Sequence, residues 1–304
     1  MKKDSDSEIM KAIGTDKNIL GKFKKVREAA IRESKALDEK WIKRKKIKVI
    51  GISGSARDRN DTSQEDSNSE ALLIKCLEYC KKLGADTEVI KLRDYSIKYC
   101  KACYSTTNTQ CHFYCSCYPK GTPAGDDMTN KLYDKVIGAD AIIFATPVNN
   151  FNISTLMKTF IDRCISLDGS LKPADEKKPK DRELNIKQMK FIELTADNRI
   201  PGSGMLRRFL GKTAGIIITG HEEGASMAIS NLFMTLNNFG MAFPPFSHMY
   251  AMADVCESTY SDRKIVLSKC YTEEAGLLAE NIMHMAKMMK KEKPSSWKYD
   301  YSSN

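Results

Sequence analysis

No run of apolar residues in this chain approaches the roughly 18 that a membrane span requires, and Met1 to Met10 lack the apolar core of a secretory signal. A cytoplasmic protein with no membrane partner is the expectation. Histidine is scarce, at four residues, and His248 and His284 stand alone. The common nucleotide fingerprints are missing as well. No Gly-Lys-Ser/Thr follows Gly54, which excludes a Walker loop, and Gly51 and Gly54 do not begin a Gly-x-Gly-x-x-Gly. Evenly spread basic charge is absent too. The net charge is +10, but residues 1–46 carry +7 and residues 287–304 carry +3, so residues 47–286 sum to zero. Basic tails without interleaved aromatic residues read as solvated faces, and nucleic acid is not an expected partner.

What the chain does contain is a phosphate pocket in outline. Val49, Ile50 and Ile52 form a β-branched strand that runs into Gly54, Ser55, Ala56 and Arg57, and Asn68, Ser69 and Glu70 open a helix. A small-residue turn at a strand end aims backbone N–H groups at one spot, and a helix N-terminus adds partial positive charge. A second strand, Ala141 to Ala145, ends in Thr146, Pro147, Val148, Asn149, Asn150 and Phe151, after which Ser154 caps a helix carrying Leu156, Met157, Phe160 and Ile161. In an open parallel sheet such loops flank a ligand at the carboxyl ends of the strands.

With these segments in place the chain resembles the flavodoxin-like NADPH-dependent FMN reductases, and their iron–sulfur flavoprotein branch in particular. The resemblance rests on Gly51 to Arg57, Asn68-Ser69, Asp126-Asp127-Met128, Thr146 to Val148, Lys158 to Arg163 and Gly215 to Gly220. It implies bound FMN, with Ser53, Ser55, Arg57, Asn68 and Ser69 toward the phosphate. Pro147, Val148, Asn149, Asn150 and Phe151, with Gly220 and His221 in the loop after the Gly215 strand, would lie toward the ring. Three departures stand out: Ala56 replaces a customary proline, ten residues (Asp58 to Ser67) separate Arg57 from Asn68 where few are usual, and Asn149 replaces a common aromatic.

The ten cysteines are concentrated. Cys100, Cys103, Cys111, Cys115 and Cys117 fall within eighteen residues, with His112 among them. Cys-x-x-Cys brings two thiolates to one metal, and neighbouring cysteines can complete four ligands for an iron–sulfur cluster or zinc. Redox-active thiols are a third reading, and zinc is disfavoured because Cys115-x-Cys117 makes a poor second knuckle. The resemblance implies a [4Fe–4S] cluster held by four of the five. Cys76, Cys80, Cys164, Cys256 and Cys270 read as core residues.

The expected architecture is α/β: a flavodoxin-like three-layer sandwich with a five-stranded parallel sheet, order 2-1-3-4-5. Its strands are placed at Lys48 to Ser53, Thr87 to Leu92, Ala141 to Thr146, Ala214 to Thr219 and Met241 to Phe246. Residues 1–46 form a basic extension with an amphipathic helix over about Asn18 to Lys45, whose stripe (Leu20, Phe23, Val26, Ala30, Leu37, Trp41) packs either on its own domain or, as the favoured expectation, at an oligomer contact. The flavin domain spans 47–290, with a cysteine-rich loop at 100–117 and an insertion at 168–212, and 291–304 is a tail. Within the insertion, Asp168 to Lys190 reads as an exposed loop and Phe191 to Thr195 as strand. A helix at Glu273 to Lys290 closes the domain. The function implied by the resemblance is an FMN-dependent oxidoreductase, in a homo-oligomer, taking electrons from NAD(P)H or a ferredoxin-like carrier to a small-molecule or protein acceptor. A non-catalytic electron-transfer protein is the alternative.

Overall fold

The computed structural model describes residues 5–60, 62, 64–104, 110–220, 224–252 and 259–297, with 259–262 by main chain only. Its strands are β1 (Lys48–Ser53), β2 (Asp86–Lys91), β3 (Ala141–Asn149), β4 (Asn152–Ile153), β5 (Thr213–Gly220) and β6 (His248–Met252). Its helices are α1 (Asp6–Ile13), α2 (Lys17–Lys43), α3 (Asn68–Lys82), α4 (Tyr133–Gly138), α5 (Thr155–Arg163), α6 (Arg182–Thr195), α7 (Ala225–Asn238), α8 (Thr259–Val266) and α9 (Lys269–Met289).

The sheet order is β2-β1-β3-β5-β6, all parallel, with β4 turned back antiparallel on β3. Counting the parallel strands alone, this is the expected 2-1-3-4-5. Strand side chains alternate between two cores, as a pleat with both faces covered requires. Ile142 and Phe144 point to the layer holding Met157, Phe160, Leu232 and Leu236, whereas Ala141, Ile143 and Ala145 meet Leu72, Leu73, Leu278 and Ile282. Gly51 lets α3 approach: a Cβ there would lie 2.7 Å from Leu77 Cδ1.

Five expectations are corrected. The fifth parallel strand is His248–Met252, not Met241 to Phe246. Pro244 and Pro245 lack N–H donors, so only Ala242 bridges to Thr213 before the chain rejoins the ladder. Strand β3 runs on through Pro147 and Val148 to Asn149, making a hairpin where an irregular loop was expected. Phe191 to Thr195 is the end of helix α6, not a strand. Asp181 caps that helix by accepting Leu184 N–H at 3.0 Å, and Phe191 and Ile192 are buried on one face, so helical burial overrides strand propensity. The insertion is therefore partly a packed helix. Cys270 is exposed, not a core residue; Cys76, Cys80 and Cys164 are buried, and Cys256 lies outside the described residues.

The fifth correction concerns α2. Its stripe packs within the chain: Leu20, Phe23 and Ala30 form a third core with Ile9, Ile13, Leu171, Phe191 and Ile192. The rings of Phe23 and Phe191 lie 5.6 Å apart. Farther along, Arg208 donates to Glu33 at 2.8 Å, and buried Trp41 donates to the Met289 carbonyl at 3.4 Å. Extension and insertion thus cover each other, so this stripe is not left for a second subunit.

Candidate functional site

The site lies beyond the carboxyl ends of β1, β3 and β5. Gly54 extends the β1 ladder, its N–H donating to the Ala145 carbonyl at 2.8 Å, and its carbonyl accepts from the Ser154 hydroxyl. A Cβ at Gly54 would come within 2.8 Å of Met157 Cβ and 3.0 Å of Ser154 Oγ. Glycine therefore lets the β1 turn seat directly on the start of α5. Ser154 also caps α5, accepting Met157 N–H at 3.2 Å, as its position in the sequence predicts.

Around the turn, buried Ser55 accepts Arg57 N–H at 3.2 Å, and Arg57 lies 4.0 Å from Glu65. Helix α3 starts at Asn68 with Ser67 as its cap, and the Ser67 and Ser69 hydroxyls are 2.9 Å apart. Asn68 and Ser69 thus occupy the first turn, whose N–H groups a helix leaves without internal acceptors. Ser53 is placed differently. It is fully buried and donates to Glu70 at 3.2 Å. Burial pushes the Glu70 carboxyl up, but Arg93 at 2.6 Å and Lys91 at 2.7 Å outweigh it and hold the group below the usual carboxylate range. Ser53 belongs to that buried network under the turn.

Two residues, Asn150 and Phe151, connect β3 to β4. Both have positive φ, 48° and 63°, as a two-residue hairpin turn of this twist demands. Asparagine tolerates this region, and Phe151 occupies it at a cost while the residue remains 58% exposed. Pro147 is half-buried, Val148 buried, and Asn149 and Asn150 exposed. The end of β5 and the start of α7 both approach this hairpin. A Cβ on Gly220 would lie 3.1 Å from Val148 Cβ, and one on Gly224 would lie 2.4 Å from Phe151 Cα. His221 lies outside the described residues. Gly54 seats the β1 turn on the start of α5, and Gly220 and Gly224 pack on the hairpin, all at the strand carboxyl ends where a phosphorylated, planar cofactor is expected.

The cysteine loop follows β2. Cys111 and Cys115 are buried, Cys100 and Cys117 half-buried, and Cys103 exposed. The five thiols act on one another. A hydrogen bond from Cys117 lowers the Cys103 pKa, and the same bond raises that of Cys117. The Cys117 contact and burial push Cys115 up, while burial foremost raises Cys111 and Cys100. Among the described residues no three His, Cys, Asp or Glu side chains close on one point as ligands of a single ion. Burial holds His112 near pKa 4; its Nδ1 meets Ser116 Oγ at 2.8 Å.

Sequence reasoning missed what ties this loop to the flavin side. Arg163, buried at the end of α5, pairs with buried Asp126 and donates to the Lys98 carbonyl at 2.8 Å and to Thr129 at 3.1 Å. Burial opposes the Asp126 charge, but Arg163 and the Lys98 N–H outweigh it and lower the carboxyl pKa. Both residues lie in segments that carried the family resemblance, yet no spacing in the sequence pairs positions 126 and 163. The cavities that the fold encloses lie elsewhere among the described residues. One of about 370 Å³ lies between α2, the insertion and Trp297, away from the strand ends, and strand topology outweighs volume in placing the site.

A family described as NADPH-dependent FMN reductase matches residues 47–253. An iron-sulfur flavoprotein of Archaeoglobus fulgidus is 33% identical over 117 residues, 38% of this chain and 48% of the relative. One from Methanosarcina thermophila is 29% identical over 121 residues, 40% of this chain and 54% of the relative. The chain spans about half the length of the curated relatives it matches. The solved structure of RosB with bound 8-demethyl-8-formylriboflavin-5'-phosphate shares the fold at TM-score 0.56 and 17% identity, over 81% of each chain.

Proposed function

The chain belongs to the NADPH-dependent FMN reductase family, and from that premise we propose that it binds FMN at the carboxyl ends of the strands. There it acts as an oxidoreductase, drawing electrons from NAD(P)H or a ferredoxin-like carrier and delivering them to a small-molecule or protein acceptor. Bound FMN supplies a centre that accepts a hydride and can release electrons singly or in pairs. The residues of this chain bind and orient it. The β1 turn and the first turn of α3 offer N–H groups and hydroxyls to the phosphate, while Val148, the Asn150-Phe151 turn and Gly220 line the ring side. The observation that carries this reading is the close packing at the strand carboxyl ends, of Gly54 on the start of α5 and of Gly224 on the Phe151 backbone.

We further propose that four of Cys100, Cys103, Cys111, Cys115 and Cys117 hold a [4Fe–4S] cluster, which would supply one-electron exchange. The crowding of five cysteines within eighteen residues supports it, as do the relatives' names. Anaerobic purification with a visible spectrum, iron and acid-labile sulfide analysis tests both parts. Flavin bands with stoichiometric iron are expected; flavin without iron removes the cluster, and a colourless protein that takes up no FMN removes the whole reading. Turnover of NADPH with an added acceptor separates an enzyme from a passive carrier. Light scattering tests the homo-oligomer that the resemblance implies.

A further inference from the structure

The ten-residue extension of the phosphate loop is tied down from outside the family-matched region. Helix α8 follows β6, beyond residue 253 where the family match ends. From it, Arg263 Nε donates to Asn68 Oδ1 at 2.8 Å, and Arg263 Nη2 donates to the Asp66 carbonyl. The Asp66 carboxylate is held on its other side by Arg59 at 2.7 Å. The residues just before and just after the α3 cap are therefore fixed by one guanidinium.

The chemistry of that contact sets the Asn68 side chain. Arginine has donors and no acceptor, so the amide must turn its oxygen to Arg263, and only its NH₂ donors remain for any other partner. An anion at the α3 N-terminus requires donors, and an Asn68 turned the other way would offer it a carbonyl oxygen. We infer that Arg263 is a positioning residue for the phosphate of the bound flavin. It locks the Asn68 amide with its NH₂ available and pins the stretched loop at Asp66. This inference rests on the FMN reading above. It assigns to α8 a part in cofactor selection that the local sequence around the phosphate turn does not contain.

A general loss of structure would weaken every flavin, whereas loss of this contact acts on the phosphate end alone. The test compares FMN with riboflavin, which lacks the phosphate, by quenching of flavin fluorescence on apoprotein reconstituted to a wild-type melting profile. Arg263→Met is expected to raise the FMN Kd roughly tenfold, the scale of a lost charge-assisted hydrogen bond, with the riboflavin Kd within about twofold of wild type. Asn68→Asp keeps the pairing with Arg263 but presents carboxylate oxygen, so its FMN loss should be larger, again sparing riboflavin. In an Asn68→Ala background, Arg263→Met should cost less than in wild type, the remainder being its hold on the Asp66 carbonyl. Equal losses for FMN and riboflavin, or full additivity of the two changes, would overturn the inference. If Arg263→Met does not fold, Arg263→Lys, which keeps the charge and loses the forked geometry, carries the same comparison. Wild-type apoprotein that binds neither flavin would overturn the FMN reading instead, and the inference with it.

Discussion

The two ends of the parallel sheet divide charge and backbone strain differently. At the amino end, buried Asp140 accepts Lys48 N–H at 2.8 Å and pairs with Arg44 at 3.1 Å and Lys290 at 3.3 Å. Next to it, fully buried Lys212 donates to the carbonyls of Ile137 and Ala139. These contacts join the N-terminal extension and α9 to the strand starts. At the carboxyl end the loops carry the strain. Of the five non-glycine residues with positive φ among the described residues, Gln64, Ala102, Asn150 and Phe151 lie in the phosphate, cysteine and hairpin loops, and Phe246 alone lies elsewhere. The amino end is a locked charge network, whereas the carboxyl end, which has its own buried network at Glu70, Arg93 and Lys91, also holds conformations that only a compensating fold keeps in place.

Removing the hub of the amino end should have the largest effect. Asp140→Ala leaves Arg44, Lys290 and Lys212 without their carboxylate, and stripping one partner from a buried ionic network costs about 3–5 kcal/mol. Urea unfolding should show that loss, while FMN affinity of the folded fraction stays near wild type. A cost below about 1 kcal/mol would mean that the network is not what binds the extension to the sheet.

The same network makes a pH prediction. Burial, with Arg44 and Lys290 adding repulsion against the pull of Asp140, lowers the Lys212 pKa from 10.5 to about 7. Between these two values the unfolded chain binds the proton and the folded chain does not. This residue therefore makes stability rise with pH across that window, by at most about 1.4 kcal/mol per pH unit, with no further change from it below about 7. Lys212→Met should flatten the rise in a series of melts from pH 7 to 10, and an unchanged slope would show that Lys212 stays charged in the fold.

At the carboxyl end, Gly224→Ala is the sharpest probe. Its new methyl would meet Phe151 Cα at 2.4 Å, so the β5 loop must back away from the hairpin. About 1–3 kcal/mol of stability should go, with FMN binding weakened tenfold or more. Retained affinity in an otherwise stable variant would place the flavin away from this contact.

Legibility in the sequence divides along the same line. The strands that build the sheet are local apolar runs, so β1, β2, β3 and β5 are readable within a residue or so, apart from the β3 extension into the hairpin. The cap of α5 is readable because Ser154 acts on an N–H three residues away, and the start of α3 is readable at Asn68, although its Ser67 cap is not. The fifth strand was misplaced because apolar composition outweighed what Pro244 and Pro245 remove. Contacts between distant positions were not legible at all: Arg163 with Asp126, Arg263 with Asn68, and Asp140 with Arg44 and Lys290 each join segments that no period or spacing relates. The α2 stripe was readable as apolar but not as to its partner, because α6 had been read as loop and strand.

The smallest effect separates strain from function most cleanly. Phe151 holds φ 63° in a residue that is 58% exposed, so its backbone conformation carries a cost that burial offsets only in part. Glycine adopts that conformation without a Cβ clash. Phe151→Gly should therefore stabilise the fold by up to about 1 kcal/mol, offset in part by the greater freedom of glycine in the unfolded chain. If the ring lies against bound flavin, the same change must weaken FMN binding, so melting temperature and affinity should move in opposite directions. Stability gained with unchanged affinity would reduce Phe151 to a costly turn residue, and stability lost would show that the ring already has a protein surface to rest on.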